Sequence, residues 1–181
     1  TSRADLRPLR RHLEAALPDV AVIPTLPEEL GPVGPTTPVA ATLFHAPALR
    51  DLGAVALAGS EELDALRRLD ALPPGAAVVV ASADWVQAAR IRQSLARGGL
   101  AHLAFRPVTG PAELAAALDG AACLLAAPSG EPIAAEARAL RPDLPCLVEP
   151  RTLPPAAVTA LRRRLSAPPR APRIGVRSSW I

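Results

Sequence analysis

The side chains in this 181-residue chain that could move a proton or hold a metal are few in kind. There are three histidines, two cysteines and 17 carboxylates, and all 20 basic residues are arginine. With no lysine there is no Schiff-base nucleophile, and no lysine to reach a phosphate from a P-loop. Ser82, Asp84 and His45 have the residue types of a nucleophile, an acid and a base, but no G-x-S-x-G elbow surrounds Ser82 or Ser129. G-x-G-x-x-G, P-loop and H-E-x-x-H motifs are also absent. The scattered histidines and the pair Cys123 and Cys146 match no metal-ligand spacing. The expectation is a binding protein without catalysis, cofactor or metal.

Binding chemistry concentrates where apolar runs end. In VAATLFHAPALR (39–50), an apolar run gives way to Thr42, Phe44 and His45, in a chain with only 2% aromatic residues. The run at 20–25 ends at Thr25, and that at 77–81 leads into Ser82-Ala83-Asp84-Trp85. The run at 122–127 leads into Pro128-Ser129-Gly130-Glu131, and that at 145–149 into Glu149-Pro150-Arg151-Thr152. Parallel α/β sheets bind ligands outside the carboxyl ends of their strands, where helix N-termini offer unpaired N–H groups and partial positive charge. The candidate ligand-binding residues are therefore Thr25, Thr42, Phe44, His45, Ser82, Asp84, Ser129 and Arg151. Each has a plainer reading beside this one. A serine or threonine here serves equally as a helix cap, His45 as a loop histidine and Arg151 as a surface charge.

The elements that position these residues follow a strand–helix rhythm. Apolar runs at 20–25, 38–43, 54–58, 77–81, 101–106, 122–127 and 145–149 read as strands. Several are continuously apolar, as in parallel strands covered on both faces, which puts the chain in the α/β class. Residues 61–71 predict a helix capped by Ser60, with Leu63, Leu66 and Leu69 inward. Residues 84–97 predict one with Trp85, Ala88, Ile91 and Leu95 inward, closed by Gly98-Gly99. Residues 155–165 predict a third, with Ala157, Val158, Leu161 and Leu165 inward. Cys123 and Cys146 sit in apolar runs and read as small buried hydrophobes in a reducing compartment.

Charge is uneven. The net charge of +3 comes from the end of the chain, where six arginines and no acids follow residue 161. The remaining body is slightly acidic, which argues against a nucleic-acid surface on it. Residues 166–181 read as a Pro- and Arg-rich tail without packed structure, and 28–38 as a constrained Pro/Gly loop. No run approaches the ~18 apolar residues of a membrane span, and TSRADLRPLRR lacks the apolar stretch of a signal peptide. The chain does not begin with Met, so sequence upstream is expected, and 4–17 reads as a linker helix to a missing head.

Two segments, ATLFHAPALRDLG (41–53) and LDALPPGAAVVVAS (69–82), resemble the effector-binding part of certain GntR-type bacterial transcription regulators. The resemblance covers roughly 18–165, without the winged helix-turn-helix of that family. It implies two small α/β lobes with mostly parallel sheets, like a compact periplasmic solute-binding protein, and a crevice between them. Lobe 1 would be 1–58 with 150–165 returning to it, and 59–149 would be the crossing and lobe 2. The implied function is cytoplasmic sensing of a small-molecule effector. DNA would be contacted only through a domain absent from this chain; no membrane contact is expected, and a homodimer stays open. Thr42 would offer a hydroxyl, Phe44 an apolar wall and His45 a polar lip, with Ser82, Asp84 and Ser129 facing them. The alternative is a single doubly wound receiver-like or nucleotide-binding module, acting as an interaction domain or small enzyme. A third reading makes the arginine-rich tail a nucleic-acid arm.

Overall fold

Every side chain of AVVVA (77–81) is buried, as befits a strand covered on both faces. This strand, β3 (Ala77–Ala81), anchors the fold in the computed structural model, which describes residues 3–34 and 37–166. Beside it lie β4 (Ala104–Val108) on one side and β5 (Ala121–Ala126) on the other, with β6 (Cys146–Val148) beyond β5. All four strands are parallel, with Ala77 opposite both Ala104 and Ala121, and Leu124 opposite Cys146. Three helices connect them: α3 (Trp85–Leu95), α4 (Pro111–Leu118) and α5 (Glu131–Leu140).

Alternation along the central strands builds two cores. Val78, Val80, Cys123 and Leu125 face Leu66 of α2 (Ser60–Arg68) and Ala88, Ile91 and Leu95 of α3. Val79, Ala81, Leu124 and Ala126 face Leu114 and Leu118 of α4 and Ile133, Ala134 and Ala137 of α5. The result is a parallel sheet between two helical layers, so the α/β class with parallel sheets flanked by helices holds. Pro107 lies in the edge strand β4, where a missing N–H breaks no inner ladder. Cys123 and Cys146 point to opposite faces and are free thiols.

A second parallel sheet is minimal: β1 (Ala40–Ala41) beside β2 (Val55–Ala56). Leu57 packs there with Leu13 and Leu17, at the end of α1 (Arg3–Ala16), and with Leu161 of α6 (Pro155–Ser166). The chain thus leaves this cluster, builds the four-stranded sheet and returns through α6. The two parts also share a core, because Leu43, Phe44 and Ala58 are buried with Val78 and Val80.

Several sequence expectations need correction. Residues 20–25 form no strand. Val20 and Val22 lean on the small core while Ile23 is 82% exposed, and Pro24 and Pro27 remove donors that a ladder would need. The strand expected over 38–43 shrinks to Ala40–Ala41, since residues 42–45 turn back on themselves through bonds to the Thr42 carbonyl. β4 begins three residues later than 101 because a wide turn, Ala96–Leu100 with Gly99 at φ 110°, extends α3. Trp85 is not inward but 52% exposed, and Gln87 takes the buried place instead. Leu165 is also exposed, and Ser60 lies within α2, whose cap is Gly59. Helix α1 packs on the body, with Leu9, Leu13 and Leu17 buried. The tail at 167–181 lies outside the described residues.

Candidate functional site

From β3 the chain adds β4 on one side and then β5 on the other, so the sheet has a switch point between the carboxyl ends of β3 and β5. In doubly wound sheets this is where loops part and ligands settle. The loop after β3 carries Ser82 to Asp84, and that after β5 carries Pro128 to Gly130. They lie close enough that a Cβ on Gly130 would stand 2.3 Å from the Ala81 carbonyl oxygen, so this approach needs glycine.

A chain of hydrogen bonds occupies the switch point. The Ala83 N–H donates to Ser129 Oγ at 3.3 Å, and Ser129 Oγ donates to Gln87 Oε1 at 2.6 Å. With its oxygen engaged, the fully buried Gln87 amide turns its nitrogen outward, and Nε2 donates to Asp5 Oδ2 of α1 at 2.5 Å. The orientation is dictated by the bonds, since an amide presents donors at one end and an acceptor at the other. Asp84 caps α3, its Oδ1 accepting from the Gln87 N–H at 2.8 Å. Ser82 is fully buried, and its hydroxyl donates to the Asp84 carbonyl at 2.7 Å, closing the turn.

The end of β6 supplies a second polar group. Glu149 is held to the sheet by its N–H on the Ala126 carbonyl at 2.8 Å. Its Oε1 accepts from the Phe44 N–H at 3.2 Å, and the Thr42 hydroxyl hydrogen-bonds the same carboxyl group. Burial raises this carboxyl above its ordinary pKa and the nearby Asp5 carboxylate adds to the rise, while the Phe44 and Thr42 bonds work against it. Asp5 therefore faces both the Gln87 amide and Glu149.

The predicted residues divide accordingly. Ser82, Asp84 and Ser129 come together, and Thr42 joins them through Glu149 and Asp5. Phe44 is not a crevice wall: its ring is fully buried in the main core. His45 is buried and shares a hydrogen bond of 2.6 Å, through Nδ1, with Ser94 Oγ of α3. Burial above all, with a smaller push from the Arg90 guanidinium, holds its pKa down at about 3, so the ring is neutral. His45 thus bonds to Ser94, and Ser82 to a backbone carbonyl. Arg151 is exposed; it pairs with Glu131 at 2.9 Å and donates to the Pro128 carbonyl, bracing the turn below Ser129. Thr25 lies apart, donating to the Ile23 carbonyl at 3.3 Å.

Sequence reasoning left Asp5, Gln87, Ser94 and Glu149 out of the candidate set. One signal for Gln87 was present: it is a polar residue one position before Ala88 and four before Ile91, on the inward side of α3. Asp5 had none, because nothing local says where a first-turn carboxylate will dock.

Clefts among the described residues open elsewhere on the surface. One of about 690 Å³ runs between α3 and the β4 edge, lined by Val86, Arg90, Arg92, Leu103 and Phe105 among others. Another, about 130 Å³, is lined by Arg3, Leu6, Arg7, Pro24 and Leu26. Among the described residues no helix is long and apolar enough to cross a membrane, and no three His, Cys, Asp or Glu side chains group to hold a metal ion. No protein-family model, curated protein or solved structure matches the chain.

Proposed function

We propose that the chain is the effector-sensing domain of a cytoplasmic transcription regulator, binding a small molecule without transforming it. The observation that carries this reading is the convergence of Gln87, Ser129, Thr42, Glu149 and Asp5 at the switch point of a parallel sheet. Buried polar groups cost stability unless each is satisfied, and this network gathers them at the edge where parallel sheets take ligands. The relation to GntR-type regulators rests on the two quoted segments. The return of α6 onto Leu13, Leu17 and Leu57 is in keeping with a lobe that the chain leaves and re-enters. DNA would be reached through a domain outside this chain, and a ligand that prefers one arrangement of the two parts would bias their equilibrium.

Thermal-shift screening of a metabolite library against the wild type, Gln87→Leu and Ser129→Ala tests the reading. A ligand that raises the wild-type melting temperature by several degrees and fails on Gln87→Leu supports it. A ligand that stabilises all three alike puts the site elsewhere.

The strand order β4-β3-β5-β6 favours a second reading, since receiver-like modules share this order. A receiver needs a strand-end aspartate to accept phosphate, and Asp84 is the candidate, although its carboxylate caps α3 and the chain has no lysine. Incubation with acetyl phosphate decides between the two: one added phosphoryl group on Asp84 favours the receiver.

A further inference from the structure

We infer that the first turn of α1 stands in for the ligand: the Asp5 carboxylate occupies, on the Gln87 amide, the position that a small carboxylate ligand takes in competition with it. The inference rests on the effector-binding reading above and adds the chemical class of the effector.

Three observations lead to it. Asp5 reaches the switch point from a segment 82 residues away and accepts from a donor that Ser129 has already oriented, so the amide offers N–H to whatever arrives. An acceptor bearing negative charge is the strongest partner for such a donor. Next, Pro8 lies inside α1. Its missing N–H leaves the carbonyl of residue 4 without an intrahelical partner, which weakens the joint between the first turn and the rest of the helix. Beyond that joint Leu9, Leu13 and Leu17 are buried, so the first turn can undock while the remainder stays packed. Finally, the outer side of this turn is loosely covered, with Arg3, Leu6 and Arg7 bordering the 130 Å³ cleft.

The test uses the whole chain carrying Trp180→Phe, so that Trp85 at the start of α3 is the only indole. Succinate is the probe and neutral succinamide the control. Succinate is expected to alter Trp85 emission and to speed amide exchange in the first turn of α1 roughly tenfold, leaving β3 and β5 protected. Asp5→Ala is expected to tighten succinate binding about tenfold, because the competing carboxylate is gone. Should Asp5→Ala not fold, Asp5→Asn keeps the shape, loses the charge and is expected to tighten binding several-fold. Equal succinate affinity with and without Asp5, or no succinate binding to either protein, overturns the inference. A non-carboxylate ligand that still requires Gln87 would overturn it while leaving the sensing function standing. The absence of any Gln87-dependent ligand would remove both.

Discussion

The Phe44 amide donates to the Glu149 carboxyl group at 3.2 Å, joining two residues 105 positions apart. This bond ties the turn after the small sheet to the carboxyl end of β6, and the Thr42 hydroxyl reinforces it. Through Asp5 the same carboxyl is coupled to the Gln87–Ser129 chain, so three remote segments meet at one edge of the sheet.

Glu149→Gln should stabilise the protein at neutral pH. A folded-state pKa above the unfolded one gives stability that is present in acid and is lost as pH rises through the folded value. The amide keeps an acceptor for Phe44 and carries no charge to bury. Thermal melts from pH 5 to 8 should show the variant gaining on the wild type as pH rises.

His45 acts with the opposite sign. Its folded pKa, near 3 against an unperturbed 6.5, means that the unfolded chain takes up a proton that the folded chain refuses. Stability from this residue is complete above about pH 6.5 and falls by roughly 1.4 kcal/mol per pH unit toward pH 3. His45→Gln, which keeps a partner for Ser94, should flatten the slope between pH 6 and 4 by about one proton in urea titrations. An unchanged slope would mean that His45 is protonated in the fold.

Gln87→Leu fills the same space without polar atoms and strips Ser129 and Asp5 of their common partner. A loss of about 1–3 kcal/mol in equilibrium unfolding is expected, with faster amide exchange in the first turn of α1.

Gly130→Ala should cost more than a helix-start alanine normally does, because its Cβ would meet the Ala81 carbonyl oxygen at 2.3 Å. The backbone must shift, at about 1–3 kcal/mol. Gly31→Ala, whose Cβ would meet nothing within 4 Å, is the control.

Cys123 should resist thiol reagents in the native state. Burial raises its pKa to about 12, and the thiolate is the reactive form. Reaction with a disulfide reagent should follow global unfolding, with a rate that tracks denaturant.

The sequence by itself determined what depends on local pattern. AVVVA (77–81) reads as a doubly covered strand and is one residue for residue, because continuous apolarity leaves no face for water. The helices over 84–97 and 155–165 were legible from apolar spacing and a first-turn proline, which act within a few residues, although Asp84 proves to be the cap and α3 starts at Trp85. The place of Ser82, Asp84 and Ser129 at one edge was legible too, since parallel strands put their carboxyl ends together. Tertiary structure decided the rest. Val20 and Val22 alternate as a strand would, yet prolines and the absence of a paired neighbour leave 20–25 without a ladder. Phe44 and His45 looked like crevice residues, but the turn that follows β1 drives them into the core against α3. Asp5 meets Gln87 because burying Leu9, Leu13 and Leu17 lays α1 against the body. Contacts of that kind depend on how whole elements dock, and no short stretch of residues encodes the docking.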